Sequence, residues 1–438
     1  MENHTIIYRL KWIGIALLVV FPLLFLGSFH AVGPVSARII VAYGLLVYTL
    51  WRGSTDYLPT RGIQLYFVYL VVYLLANLLN LTAFDTRFIK DFVAIHLICC
   101  IITFAFPRLF KSEASIQGAW IVIVFGYLLD AVVTIMQYNN ISLGWAIGMY
   151  LNPFDIENIA EVRTYYSDAN EFRKSILAGI MGRATSNGYF IATILPIVTY
   201  FIWDKFKFKT LWAYTMFAIA GLCIYYIQQR MALAVAVAYL FSIILLKKTS
   251  PTTKIFASWI TIIVLAFALD YIQNYDLSKM GRLANIEDEL RSSTFTALWD
   301  FLSDPQKVLL GYNQITNEED KTMFLILGHN AFTAALRLGG IFLLPTFIVL
   351  FYYLCRTLVE IVLFSRREED YRTMGLAVGC LCYLLYSQTH SAGVQSGSIM
   401  FWVIYMLTLQ SHRIKYEAIE AKGDEGKPLK ETIEQQNT

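Results

Sequence analysis

Apolar residues in this chain run in long blocks, without strict alternation and without recurring on one helical face. The blocks fall near 10–29, 37–51, 63–84, 91–107, 118–139, 184–203, 210–228, 231–246, 254–273, 330–354, 373–390 and 396–411. An α-helix needs about 20 apolar residues to cross the hydrocarbon core of a bilayer. A helix that is apolar all round is buried in lipid or inside a bundle. The pattern therefore predicts an all-α polytopic membrane protein with about 12 transmembrane helices over residues 1–412. The block at 330–363 is long enough to hold a longer helix. The first block is too long and too weakly flanked by charge for a typical cleaved signal peptide, so it is expected as an uncleaved span. No internal repeat is evident.

Composition narrows the class. Of 438 residues, 57% are hydrophobic and 15% are charged. Soluble domains carry about 25% charged residues. Disordered chains, nucleic-acid binders and ordinary soluble enzymes are excluded on that ground, and the net charge of +3 adds nothing. Cys99, Cys100, Cys223, Cys355, Cys380 and Cys382 all lie in apolar runs without ligand partners nearby, so they read as packing residues and no metal site is expected.

Orientation follows from the cations in the short loops. Arg52, Arg61, Arg108, Lys111, Lys205, Lys207, Lys209, Lys247, Lys248, Lys254, Arg356, Arg366, Arg367 and Arg372 fall on one side, against Arg38, Arg87, Lys90 and Arg230 on the other. The first side is then cytoplasmic, and an even number of spans leaves both termini inside. The polar segment 413–438 reads as a cytoplasmic tail, partly helical or disordered. Two long loops, about 139–183 and 273–329, fall outside. Their aromatic residues, Trp145, Tyr150, Phe154, Phe295, Trp299 and Phe301, predict short helices packed on the outer face. Ser292 to Phe301 reads as one such amphipathic helix, ended by Asp304-Pro305.

The residues that can carry chemistry cluster near that face. Arg230 lies in the tight turn of YIQQRMALA. A charge at that depth is costly unless it is paired or faces water. It either snorkels to headgroups or grips an anion through its bidentate fork. Arg183, in IMGRATSNGYF, is an interfacial anchor or a ligand contact, with Ser186, Asn187 and Gly188 placed to cap or loosen the start of the next helix. Arg291 and, more weakly, Arg282 lie in the second loop. His329 directly precedes a span, where a group that exchanges a proton near neutral pH can face an outer cavity. His390 is a rival, and His96 reads as structural. Asp130, in the middle of the fifth span, is a functional acid or half of a structural polar pair. Asp155 and Glu157 form a common type of acidic loop pair. No Walker A, GxSxG or HExxH motif is present, which argues against ATP-driven transport by this chain and against those hydrolase classes.

The order of these motifs resembles the O-antigen polymerase and O-antigen ligase superfamily. QQRMALA resembles its Ser-Arg turn, with Gln229 where the family often has Ser. RSSTFTALWDFLSDPQKVLLGYN resembles its loop pattern of an Arg, a Trp-containing helix, a Pro and a turn at Leu310, Gly311 and Tyr312. HNAFTAALRLGG resembles the His-Asn motif that opens the next span, with Gly339 and Gly340 meeting part of the ligase glycine pattern. GRATSNG resembles the segment leading into the preceding family span. Together they cover a core of about 180–345.

The resemblance implies a membrane-embedded, metal-independent glycosyltransferase in a bacterial inner membrane, needing no cofactor and working at the periplasmic face. Its donor would be a glycan on undecaprenyl diphosphate. A polymerase would pass the chain to the next lipid-linked repeat unit, and a ligase to lipid A-core. Membrane lipid and a chain-length regulator are the other implied partners. Arg230, Arg291 and Arg183 would hold the diphosphate; Arg282, Asn330 and the intramembrane acid Asp130 are secondary site candidates. His329 would act on the acceptor hydroxyl, supported by Asn330. The incomplete glycine pattern favours polymerase. The competing class is a polytopic transporter or lipid-linked glycan flippase. The short DKFKFK connection at 204–209 counts against a major-facilitator arrangement.

Overall fold

The structure is a computed structural model. It describes residues 2–27, 30–32, 35–53, 60–79, 92–152, 177, 179–181, 184–206, 209–227, 229–246, 255, 298–311, 327–328, 330–389 and 394–424. Its helices are α1 (Glu2–Phe25), α2 (Ala37–Arg52), α3 (Arg61–Leu79), α4 (Leu97–Leu109), α5 (Glu113–Tyr138), α6 (Ser142–Leu151), α7 (Ala184–Lys205), α8 (Lys209–Ile227) and α9 (Arg230–Leu246). They continue as α10 (Pro305–Leu310), α11 (Ala331–Arg367), α12 (Tyr371–Tyr386) and α13 (Ile399–Asp424). A short antiparallel ladder, β1 (His30–Val32) with β2 (Val35–Ser36), joins α1 to α2 and pairs His30 with Ser36 and Val32 with Val35.

Among the described residues, six helical segments are long and apolar enough to cross a membrane: Ile6–Phe25, Arg61–Leu79, Phe92–Leu109, Glu113–Tyr138, Ser186–Lys205 and Ala331–Arg367. The helices α2, α8, α9, α12 and α13 coincide with five further apolar blocks, and the block at 254–273 lies outside the described residues but for Ile255. The helical segments pack into one bundle. Two of them are buried on all sides. Residues Phe190 to Val198 of α7 and Phe401 to Thr408 of α13 have almost no exposed surface. Around them, large apolar side chains point outward, among them Leu18, Leu50, Val71, Phe125, Leu211 and Phe342. Such a continuous apolar exterior needs an apolar solvent. The protein is a helical, multi-pass membrane protein in character.

Interior packing is aromatic. Trp402 of α13 sits 4.2 Å from Tyr66 of α3, centroid to centroid. Trp120 of α5 donates its indole N–H to the Ile197 carbonyl of α7 at 3.1 Å. That carbonyl lies one residue past Pro196, inside α7.

Two boundaries differ from the sequence reading. Asp304-Pro305 begins a helix as well as ending one: residues 298–302 are helical, and Asp304 then caps α10 by accepting from Gln306 and Lys307, with Pro305 in the first turn. Proline fits there because its missing N–H has no intrahelical partner in a first turn. Ser186–Gly188 do not loosen the start of α7, since all three are already helical. The polar segment is helical as far as Asp424, continuous with the last span, and there Arg413 and Glu417 pair one turn apart at 2.7 Å.

Candidate functional site

The helix directions put Phe25, Leu79, Tyr138, Ala184, Arg230, Asn330 and Tyr386 at one end of the bundle. The cations Arg61, Arg108, Lys111, Arg366, Arg367 and Arg372 mark the other end. Among the described residues at the first end, three places where the backbone leaves regular helix are held by close contacts.

The first place is Leu177–Ile180. Asp130, Thr134 and Gln137 lie on one face of α5, spaced to stack along the helix. Asp130 Oδ1 accepts the Ile180 N–H at 2.8 Å. Gln137 Oε1 accepts the Gly179 N–H at 3.0 Å, and its Nε2 donates to the Gly179 carbonyl at 3.1 Å and the Gly144 carbonyl at 3.3 Å. Asn187 of α7 donates to Thr134 Oγ1 at 2.9 Å and to the Leu177 carbonyl at 3.1 Å. Asn152, at the end of α6, donates to the Phe25 carbonyl at 2.6 Å and also to the Ile180 carbonyl. Side chains thus satisfy peptide groups that water cannot reach, a requirement for non-helical backbone buried among membrane helices. Gly179 has φ +55°, and a Cβ there would strike Asp130 Oδ1 and lie 2.8 Å from both Asn187 Nδ2 and Thr134 Oγ1. Asp130 Oδ2 and Asn187 Oδ1 are buried and take no hydrogen bond among the described residues.

The second place is the junction of α7, α9, α11 and α12. Gly188 of α7 lies so close to Gln229 that an added Cβ would stand 2.7 Å from its Cγ. The segments GRATSNG and QQRMALA therefore meet, and Arg230 opens α9 beside them. The next residue, Tyr189, packs edge-on against Tyr383 and Tyr386 of α12, with ring centroids 4.6 and 4.5 Å away. One turn of 3₁₀ helix, Ser387–Thr389, follows α12. Asn330 donates its Nδ2 to the Gln388 carbonyl there at 2.8 Å. Contact thus runs without interruption from the start of α9, through α7 and α12, to the start of α11.

The third place is inside α11, where Gly339 (φ −160°, ψ 22°) and Gly340 (φ 62°, ψ −153°) leave helical geometry and cut Ala331–Leu338 from the remainder. The end of α10 seats in this break. A Cβ on Gly340 would overlap the Leu309 carbonyl, and one on Gly311 would lie 2.6 Å from the Arg337 carbonyl. Only glycines allow that approach of backbone to backbone. Asn77 of α3 reaches the break from below, donating to the Leu338 carbonyl at 3.4 Å. Phe301, Leu327 and Leu336 close a small apolar cluster over the joint.

The candidate residues sort as follows. Asn330 is the N-cap of α11, its Oδ1 accepting from Phe332 at 2.8 Å and Thr333 at 3.4 Å while Nδ2 holds Gln388. All its bonds go to protein backbone. Asp130 is fully buried and bound to the Ile180 peptide. For Arg230 the structure gives the backbone position at the head of α9. Arg183, Arg282, Arg291, His329, His390, Asp155 and Glu157 lie outside the described residues. His96 is buried, its Nδ1 3.3 Å from the Tyr66 hydroxyl. Among the described residues, no three His, Cys, Asp or Glu side chains gather in a set that could hold a metal ion. Gln137, Asn152, Thr134, Gly179 and Gln388 carry no motif. Their only signal in the sequence is a polar side chain or a glycine beside apolar runs. No family model and no curated protein matches the sequence.

Proposed function

We propose that this protein is a membrane-embedded glycosyltransferase of the O-antigen polymerase type. The resemblance implies the bacterial inner membrane; twelve spans would leave both termini cytoplasmic, and the Asn330 end of the bundle would face the periplasm. The donor is a glycan on undecaprenyl diphosphate, and the acceptor is the next lipid-linked repeat unit. A chain-length regulator is the expected protein partner. The observation that carries the reading is the joint between Gly311 and the Gly339–Gly340 break. It packs the motif segment 291–313 against the neighbouring one, 329–340, and the Asn330–Gln388 tie brings that unit to the end of α12.

The chemistry is a displacement at the anomeric carbon. The acceptor hydroxyl forms the new C–O bond, the bond to the diphosphate oxygen breaks, and undecaprenyl diphosphate leaves with the electron pair. Arg230, Arg291 and Arg183 hold the departing diphosphate, where guanidinium groups in a low-dielectric setting stabilise charge as it develops. His329 takes the hydroxyl proton. Asn330 fixes the backbone beside His329 through its cap and its bond to Gln388.

The test is the surface-polysaccharide ladder of cells lacking the gene, complemented with wild type, His329→Ala or Arg230→Ala. Loss of long chains with a single repeat still joined to lipid A, restored only by wild type, is the expected result. Loss of every attached repeat, with long chains left on undecaprenyl diphosphate, would make the protein a ligase. Full activity of both variants would overturn the site.

A further inference from the structure

Gln388 lies where the proposed site meets α12, and no motif points to it. Its carboxamide is held in one orientation. Nε2 donates to the Leu384 carbonyl at 3.0 Å and to Ser387 Oγ at 3.3 Å. A carbonyl can only accept, so the nitrogen must face Leu384 and the oxygen must face away. Oε1 accepts no hydrogen bond among the described residues, and it is not among the enclosed polar atoms. The Gln388 backbone carbonyl is occupied by Asn330 Nδ2 at 2.8 Å. The side chain is half-buried. The result is a held acceptor atom with no hydrogen-bond donor among the described residues, next to the residue that follows His329.

We propose that Gln388 is a substrate-binding residue whose Oε1 receives a hydroxyl hydrogen of the acceptor sugar. This rests on the glycosyltransferase reading above. Sugars offer hydroxyl donors. An acceptor whose other end is already tied down loses little freedom on binding one. Asn330 cannot serve in its place, because its oxygen and nitrogen are both committed to backbone. Ser387 is committed as well, donating to the Leu384 carbonyl at 2.7 Å while accepting from Gln388.

The test uses purified protein in vesicles. The acceptor is the undecaprenyl-diphosphate-linked single repeat extracted from cells lacking the gene, and the donor is preformed long chains on the same lipid. Gln388→Ala and Gln388→Met, the second keeping the length of the side chain, should raise KM for the single repeat about five- to tenfold. The KM for the long-chain donor should stay unchanged. A fall in kcat with an unchanged acceptor KM would assign Gln388 to packing and overturn the proposal. So would wild-type constants in both variants, and either result leaves the polymerase reading standing. Wild-type protein that forms no polymer overturns that reading, and the role of Gln388 with it.

Discussion

Asp130 is an acid in the interior of a membrane bundle, and what it does there follows from its two oxygens. Oδ1 holds the Ile180 N–H, whereas Oδ2 meets no donor among the described residues. An ionised carboxylate so placed would be costly, because burial removes its hydration and a single N–H replaces only part of it. The useful atom is therefore the acceptor Oδ1. Asp130→Asn keeps an acceptor there and should melt within a few degrees of wild type in detergent. Asp130→Ala leaves the Ile180 N–H bare and opens space beside Gly179, at a cost of about 1–3 kcal/mol. Its thermal transition should fall clearly below both. If Asp130→Asn instead keeps its melting point and abolishes activity, the carboxylate takes part in the chemistry. The sequence singles out Asp130, since a charge inside an apolar run is an anomaly. It cannot show the partner. A side chain bonded to a peptide group fifty positions away leaves no periodicity, and any residue type can supply that peptide N–H.

At the scale of elements, hydrophobic blocks predict helices well and breaks in helices poorly. The block from 330 onward reads as one long helix, and α11 does run to Arg367. The interruption at Gly339–Gly340 receives the end of α10, an element outside the apolar block itself. A glycine pair in an apolar run can equally be a close helix contact. Conformation separates such cases, and substitution exposes it. Gly340 holds φ +62°, and a Cβ there would overlap the Leu309 carbonyl, so Gly340→Ala combines strain with overlap and should cost roughly 2–4 kcal/mol. Gly221, in the middle of α8, has open space where a Cβ would go. Gly221→Ala should be neutral or stabilising by up to about 1 kcal/mol, through helix propensity. Melting curves of the two purified variants beside wild type check the contrast. Equal effects would mean that α10 does not seat in the break.

For the whole molecule, the legible part is the part set by bulk solvent. Lipid demands long apolar helices and an apolar exterior, so eleven of the twelve blocks reappear as helices of the bundle, while the block at 254–273 lies outside the described residues but for Ile255. Lipid sets no such rule for the polar end of the bundle, where short segments are held by individual side chains, and there the sequence offers candidates without their contacts. Orientation joins the two. If cations mark the cytoplasmic end, Lys111, exposed between α4 and α5, faces inward, and Ser142, exposed at the start of α6, faces outward. The six native cysteines all lie within helices of the bundle, four of them buried, so they form a low background. A membrane-impermeant maleimide applied to intact cells should label Ser142→Cys and spare Lys111→Cys, which should react only after the inner membrane is opened. The reverse pattern would place Asn330, Gln388 and the head of α9 in the cytoplasm. A glycan chain presented on the periplasmic face would then be out of reach of every residue in the proposed site, and the polymerase reading would fail on geometry before any assay of sugar transfer.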